Sequence, residues 1–265
     1  MLALIAGEGG LPPVLVASLR ARGQPDPVIC QMDGFTPDLP ADMTRIPFRF
    51  ETLGSLFVDL RAMGVDQICM AGRVRRPVID ESAIDVATAP LMARLGAALG
   101  LGDDGTLREI IAIMQEAGFS ICAAHDIAPE LLPPSGVLSR AQPNVRQIND
   151  AIRGEEIVAA MGRADTGQAC VIRASEVLAR EGLEGTDAMI APARGAILFK
   201  APKPDQDRRV DLPTIGPNTL MLATKAGFSA VVIESGGVIV LDQPRCVAIA
   251  DASGLVFWVR EREAA

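Results

Sequence analysis

The chain has 265 residues, beyond the ~100–200 usual for one domain, so two domains are expected. About half of it (49%) is apolar, enough for a core in each half, and the formal charge is −8. That balance argues against a nucleic-acid partner, which needs a basic patch, and against a polybasic lipid anchor; no apolar run reaches the ~18–20 residues of a membrane span.

Residues 1–6 form an apolar run of strand length that ends in Gly7-Glu8-Gly9-Gly10. The run lacks the positive start and cleavage site of a signal peptide, so it reads as a strand. Leu11-Pro12-Pro13 opens a helical pattern to about Arg22, proline being favourable in a first turn. Strands are expected at 27–31 and 44–50, a helix at 52–63 ended by Gly64, and a strand at 66–71 followed by the loop 72–77. Residues 83–99 read as one or two helices. Thr106 and Glu109 have the spacing of a capping box for a helix to Ala117, and 119–124 reads as a strand ending at His125-Asp126. Strands alternating with helices predict an N-terminal doubly wound, Rossmann-like α/β domain. Amides of the Gly7-Glu8-Gly9-Gly10 turn suit a phosphate, but the third glycine of a dinucleotide fingerprint falls at Pro12, which weighs against a nicotinamide cofactor.

Residues 131–144 are rich in Pro, Ser and Gly and mark the boundary, giving domains at 1–132 and 146–265 with a linker at 133–145. In the second half, 146–161 reads as an amphipathic helix, and 168–173 with 177–179 as a hairpin around Ala174-Ser175. Asn218 or Thr219 is expected to cap a helix to Ala226. Strands at 230–234 and 238–241 joined by Ser235-Gly236-Gly237 read as a second hairpin, followed by a helix at 244–252 and a strand at 255–259. This half is therefore a mixed α/β domain. The five cysteines are widely spaced and read as core thiols; with one histidine, His125, a histidine-rich zinc site is excluded.

Residues 184–219 break the ordinary patterning. A strand-like apolar run, Ala196-Ile197-Leu198-Phe199, leads into a stiff loop punctuated by Pro202, Pro204, Pro213 and Pro217. The stretch holds Glu184, Asp187, Asp205, Asp207 and Asp211 together with Lys200, Lys203, Arg208 and Arg209. Such a mixture suits a metal ion plus a phosphate, or a solvated loop with surface ion pairs. Asp207 and Asp211 are the first candidates for metal binding or water positioning, Asp187 with Glu184 the second, and Lys200 and Lys203 the phosphate cations. In the first half, Gly9, Gly10 and Leu11 can meet nucleotide or phosphate. Gly72 and Arg73 stand at a strand end, the usual ligand edge. Asp103 and Asp104 could reach a ribose or a metal, or be turn residues. His125 reads as a strand-end residue, for packing or for catalysis. Residues 87–101, with Leu91, Met92, Leu95 and Leu99, form a core helix or line an apolar groove.

Several motifs together resemble the LpxI-type UDP-2,3-diacylglucosamine pyrophosphatases. They are Glu184-Gly185-Thr186-Asp187-Ala188-Met189-Ile190, and then Lys200 and Lys203-Pro204 with Gln206-Asp207, Arg209, Asp211, Pro213, Gly216 and Thr219. Ile5-Ala6-Gly7 with Gly9, Leu11 and Pro12, the run Met70-Ala71-Gly72-Arg73-Val74 with Pro77, Gly102-Asp103-Asp104 with Leu107-Arg108, and Asp165 with Gly167-Gln168 extend the resemblance over nearly the whole chain. Where the family carries a basic residue after Ile190, this chain has Ala191-Pro192-Ala193 before Arg194. The resemblance implies a magnesium-dependent hydrolase of lipid A biosynthesis; since oxygen ligands prefer hard ions, manganese is expected to substitute. It would split UDP-2,3-diacylglucosamine into UMP and 2,3-diacylglucosamine 1-phosphate. It further implies a cytoplasmic protein peripheral to the inner membrane and two α/β domains holding the lipid; the sequence leaves the assembly open, a homodimer included. Gln168, Thr186, Arg209, Thr214, Gly216 and Asn218 would join the substrate-binding set. Two rival readings stay open: a non-catalytic glycolipid or nucleotide-sugar binding protein, and a nicotinamide-dependent oxidoreductase.

Overall fold

The computed structural model describes residues 1–75, 78–100, 103–182, 184–204 and 206–262, and of Asp103 and Asp104 the backbone alone. The chain divides into two compact units: Met1–Pro129 together with Asp207–Asp211, and Glu130–Gln206 together with Leu212–Ala265.

The first unit runs β1 (Leu2–Ala6), α1 (Leu11–Ala21), β2 (Val28–Met32), β3 (Arg45–Phe48), α2 (Leu53–Ala62), β4 (Gln67–Ala71), α3 (Met92–Leu99), α4 (Asp103–Glu116), β5 (Ser120–Ile121) and α5 (Ala124–Ile127). The strands form one parallel sheet in the order β3-β2-β1-β4-β5. This is the doubly wound arrangement expected from the alternation. The sequences LALIA, VICQM and QICMA are nearly continuous apolar runs because inner parallel strands are covered on both faces. Leu56, Phe57, Leu60, Leu95, Ile113 and Met114 build the core between one sheet face and α2, α3 and α4. Leu91 and Met92 pack against that core, so this part of 87–101 is a core helix rather than a groove.

Two local expectations fail here. Helix α4 starts three residues before Thr106, whose buried hydroxyl donates to the Ala98 carbonyl (2.8 Å) instead of capping. Glu109 is drawn to Arg94 (2.5 Å), a charged partner on α3. His125 does not end a strand: β5 stops at Ile121, and His125 lies in the one-turn helix α5.

The second unit continues with β6 (Gly136–Val137), α6 (Val145–Arg163), β7 (Ala169–Arg173), β8 (Glu176–Arg180), α7 (Thr186–Met189), β9 (Ile197–Lys200), β10 (Thr214–Ile215), α8 (Pro217–Lys225), β11 (Ala230–Glu234), β12 (Ile239–Val240), α9 (Gln243–Ser253) and β13 (Val256–Arg260). Its main sheet is mixed, in the order β6-β13-β11-β9-β7-β8. Residues 136 and 137, from the Pro-rich stretch, thus pair with β13. β7 and β8 make the first expected hairpin. Its turn residues Ala174 and Ser175 both have positive φ (52° and 64°), as a primed turn requires. The buried Asp150 carboxylate supports that strained turn by accepting the N–H groups of Ala174 (3.1 Å) and Ser175 (2.6 Å).

The second expected hairpin does not form. β11 already has β9 on one side and β13 on the other, so no edge remains for β12. The chain turns away at Ser235, and β12 pairs in parallel with β10. Helix α8 likewise begins at Pro217 after Gly216, which leaves Asn218 and Thr219 inside its first turn rather than at its cap.

Helix α6 is capped by a reciprocal pair: the Asn144 side chain accepts the Gln147 N–H (3.0 Å) and the Gln147 side chain accepts the Asn144 N–H (2.8 Å). It lies so close to β9 that a Cβ on Gly154 would sit 2.6 Å from Phe199 Cγ. Gly154→Val is therefore expected to destabilise the protein by ~1–3 kcal/mol through overpacking. A lowered denaturant midpoint with an unchanged slope would show this; an unchanged midpoint would contradict the contact. Among the described residues, no helix is long and apolar enough to cross a membrane.

Candidate functional site

In a doubly wound sheet the loops after the first and fourth strands diverge at the carboxyl edge, where ligands sit. Here these loops are stitched together. Gly7 N–H donates to the Ala71 carbonyl (2.8 Å), Glu8 N–H to Arg73 (3.0 Å) and Arg73 N–H to Glu8 (2.8 Å). A Cβ on Gly7 would stand 2.5 Å from the Arg73 carbonyl oxygen, and one on Gly72 (φ 92°) 2.7 Å from the Gly7 carbonyl carbon. Only glycine permits this approach. Gly9, Gly10, Leu11, Gly72 and Arg73 are thereby gathered at one edge, Gly10 preceding α1 and Leu11 opening it. Pro12 and Pro13 lack N–H groups, so α1 offers fewer amide donors at its start than an ordinary helix.

Of the other candidates, His125 lies in α5, just beyond the carboxyl end of β5, which runs parallel to β4. The side chains of Asp103 and Asp104, and all of Gly102, Pro77 and Asp205, lie outside the described residues. The Nδ1 of His125 is buried and has no hydrogen-bond partner among the described residues.

Asp207 and Asp211 begin and end a tight turn in which the Asp207 carbonyl accepts the N–H groups of Val210 (3.2 Å) and Asp211 (3.3 Å). The Asp207 carboxylate accepts from Arg209 three times: Nε (2.9 Å), Nη2 (2.6 Å) and the backbone N–H (3.0 Å). The Arg209 guanidinium holds the Asp207 carboxyl below the usual carboxylate range, against the opposing effect of partial burial.

In the second unit, Lys200 ends β9 and is only 6% exposed. Its ammonium donates to the Thr186 hydroxyl (2.6 Å) and the Thr214 carbonyl (3.1 Å), and Glu181 lies 3.9 Å away. The Thr186 hydroxyl in turn donates to Glu181, whose other oxygen accepts the Gln168 N–H (2.7 Å). Gln168, Thr186, Lys200 and Thr214 are thus joined through one carboxylate. The Gln168 side-chain carbonyl beside them is buried with no partner among the described residues. Lys203 turns to Asp165. Asp187 accepts from Asn218 Nδ2 (2.6 Å) and the Thr219 hydroxyl (2.9 Å), while Glu184 is exposed.

Glu181 was not singled out in the sequence, because it precedes the charged stretch. The hairpin register could have found it: Glu181 N–H donates to the Ala169 carbonyl, which sets Glu181 beside Gln168.

Among the described residues, no three acidic, histidine or cysteine side chains converge as a ready metal set. Magnesium does not need one, being held by one or two carboxylates plus substrate phosphates. Asp187 fits that requirement: its partners are neutral donors, so its charge is uncompensated by them. Asp207 shares its charge with Arg209. The thiols fit no nucleophilic or metal role, since burial pushes Cys30, Cys170 and Cys246 up to about 12.

Comparison with known proteins matches residues 1–131 to the LpxI N-terminal domain and residues 134–258 to the LpxI C-terminal domain. A curated relative, the UDP-2,3-diacylglucosamine pyrophosphatase LpxI of Caulobacter vibrioides (strain ATCC 19089 / CIP 103742 / CB 15), is 35% identical over 271 aligned residues, covering 96% of this chain and 95% of that protein. With both domain models matched in order and this identity sustained almost end to end, the chain belongs to the LpxI family.

Proposed function

We propose that the protein hydrolyses the diphosphate of UDP-2,3-diacylglucosamine to UMP and 2,3-diacylglucosamine 1-phosphate, with magnesium, as a step of lipid A biosynthesis. The observation that carries this reading is the 35% identity to a protein of that named activity across 96% of the chain. An acylated substrate and product would suit a cytoplasmic enzyme peripheral to the inner membrane, and the reading includes a homodimer.

Water adds to one phosphorus, the P–O–P bridge breaks, and the second phosphate leaves. Such a reaction needs neutralised phosphate oxygens, a positioned water and cations for the leaving phosphate. Magnesium would supply the first; its candidate holders are Asp187 with Glu184, or Asp207 with Asp211. Asp207 and Asp211 are assigned to the water. Lys203 is assigned to a phosphate. Lys200, buried among Thr186, Thr214 and Glu181, acts as a positioning residue for the Thr186-Asp187 turn. A groove of about 200 Å³ whose lining includes Val171, Leu178, Met189 and Pro192, with Arg173 as its one charged residue, is a candidate acyl-chain site in the second unit.

Release of UMP from UDP-2,3-diacylglucosamine by the purified protein tests the reading. Saturable binding with no turnover would instead support a glycolipid or nucleotide-sugar carrier. The pairing of Asp207 with Arg209 gives a pH signature. Arg209→Ala removes the main influence holding the Asp207 carboxyl low, so that carboxyl will titrate at higher pH. If ionised Asp207 is required, the acidic limb of kcat/KM moves upward in pH. A limb that stays in place would show that another group titrates there.

A further inference from the structure

We propose that the groove at the carboxyl ends of β2, β3 and β4 seats the uridine of the substrate, with Asp33 taking the ribose hydroxyls and Phe35 the base. This deepens the hydrolase reading and rests on it. The groove measures about 320 Å³, within the ~300–1,000 Å³ range of small-molecule clefts. Met32 and Phe50 are buried in its floor, and half-buried Phe35 packs against the same core, giving a flat ring an apolar wall.

The polar groups stand at the rim. Asp33 is exposed immediately beyond β2, its backbone N–H fixed by the Phe48 carbonyl (2.9 Å). In doubly wound sheets, an acid about 20 residues beyond the glycine turn meets the ribose hydroxyls, and Asp33 occupies that place after Gly9 and Gly10.

The loop is preorganised. Gly34 (φ 85°) turns the chain, and Phe35 N–H donates to the Met32 carbonyl (3.1 Å). The Gln31 amide donates to the Phe35 carbonyl (3.0 Å) and is itself braced by Arg45 (3.0 Å). Arg45 also holds the carbonyls of Leu39 (2.7 Å) and Pro40 (2.9 Å). Such a loop loses little freedom on binding.

Two guanidinium groups complete the rim. Arg49 is held there by the buried Glu51 (3.3 Å), whose second partner is the Asp80 N–H (2.7 Å), so Glu51 is compensated. Arg75 is 77% exposed and lies 3.7 Å from Glu8, beside the glycine turn. A nucleotide with its base on Phe35 and its ribose on Asp33 would carry its phosphate toward these cations. The amides lost at Pro12 and Pro13 suit a single nucleotide end better than a dinucleotide cradle.

Titration of the full-length protein with UMP, by calorimetry or amide chemical shifts, tests the assignment. Wild type should bind UMP saturably and 2′-deoxy-UMP at least ~10-fold more weakly. Asp33→Asn should lose most of that discrimination, and Phe35→Ala should weaken UMP ~10-fold or more, in line with ~1–3 kcal/mol per stacked base. An unchanged thermal midpoint in Asp33→Asn, an exposed site, separates this from unfolding. No saturable UMP binding by wild type, or variants that bind UMP and 2′-deoxy-UMP as wild type does, would overturn the assignment. If hydrolysis of UDP-2,3-diacylglucosamine proceeds with an unchanged KM in both variants, the hydrolase reading stands and this subsite falls. If UMP binding is lost in the variants but wild type hydrolyses nothing, the subsite stands and the hydrolase reading falls.

Discussion

Asp211→Ala and Asp207→Ala are each expected to lower kcat for UMP release by ~10²–10⁴-fold, the usual loss when a positioned acid–base group is removed. The fold should survive both changes. Asp207 and Asp211 sit in a short turn rather than in a strand, and the Asp207–Arg209 pair, with side chains 19% and 42% exposed, adds no more than ~1 kcal/mol. The pair fixes the direction of the Asp207 carboxylate through three hydrogen bonds, so Asp207→Asn is a sharper probe than alanine. It keeps the shape, removes the charge, and should lose nearly as much turnover. Steady-state UMP release measured beside a denaturation curve decides the matter. Folded variants with near wild-type turnover would remove both residues from the chemistry.

The fold was legible where burial is two-sided. LALIA, VICQM and QICMA are short apolar runs bounded by glycine and proline, and that length and punctuation favour covered strands over helices. The hairpin at Ala174-Ser175 was legible for the same local reason. The Ser235-Gly236-Gly237 turn carries a hairpin signal but makes no hairpin, because turn chemistry says nothing about which sheet edges are already occupied. Here β9 and β13 flank β11, a fact of long-range order. Thr106 shows a parallel failure: the T-x-x-E spacing was present, but Ala98 and Arg94 gave its two side chains stronger partners. In the candidate site, the Gly7–Gly72 approach follows from glycine positions that can be read directly. The cluster of Lys200, Thr186 and Glu181 does not, since it joins strand ends and a one-turn helix from separate segments. The buried placement of Lys200 also could not be seen in a stretch that reads as uniformly charged.

Excess chelator is expected to reduce UMP release to background, with magnesium restoring it fully and manganese at least in part. The argument begins with charge. The substrate diphosphate brings phosphate oxygens whose repulsion toward incoming water must be neutralised. Three cations of the charged stretch already have partners: Lys200 has Thr186, Thr214 and Glu181, Lys203 has Asp165, and Arg209 has Asp207. Carboxylates are the metal-ligating side chains this stretch offers, and hard oxygen ligands select magnesium or manganese over softer ions. Asp187, whose partners Asn218 and Thr219 are neutral, is the carboxylate proposed to hold an ion shared with the phosphates. Asp187→Asn should therefore raise the magnesium concentration for half-maximal rate ~10-fold or more, while the denaturation midpoint moves little because the residue is exposed. That shift separates a metal holder from a residue that merely shapes the turn, which would lower the rate equally at every magnesium concentration. A wild-type enzyme that keeps its full rate after dialysis against excess chelator would end the proposal of a magnesium-dependent reaction.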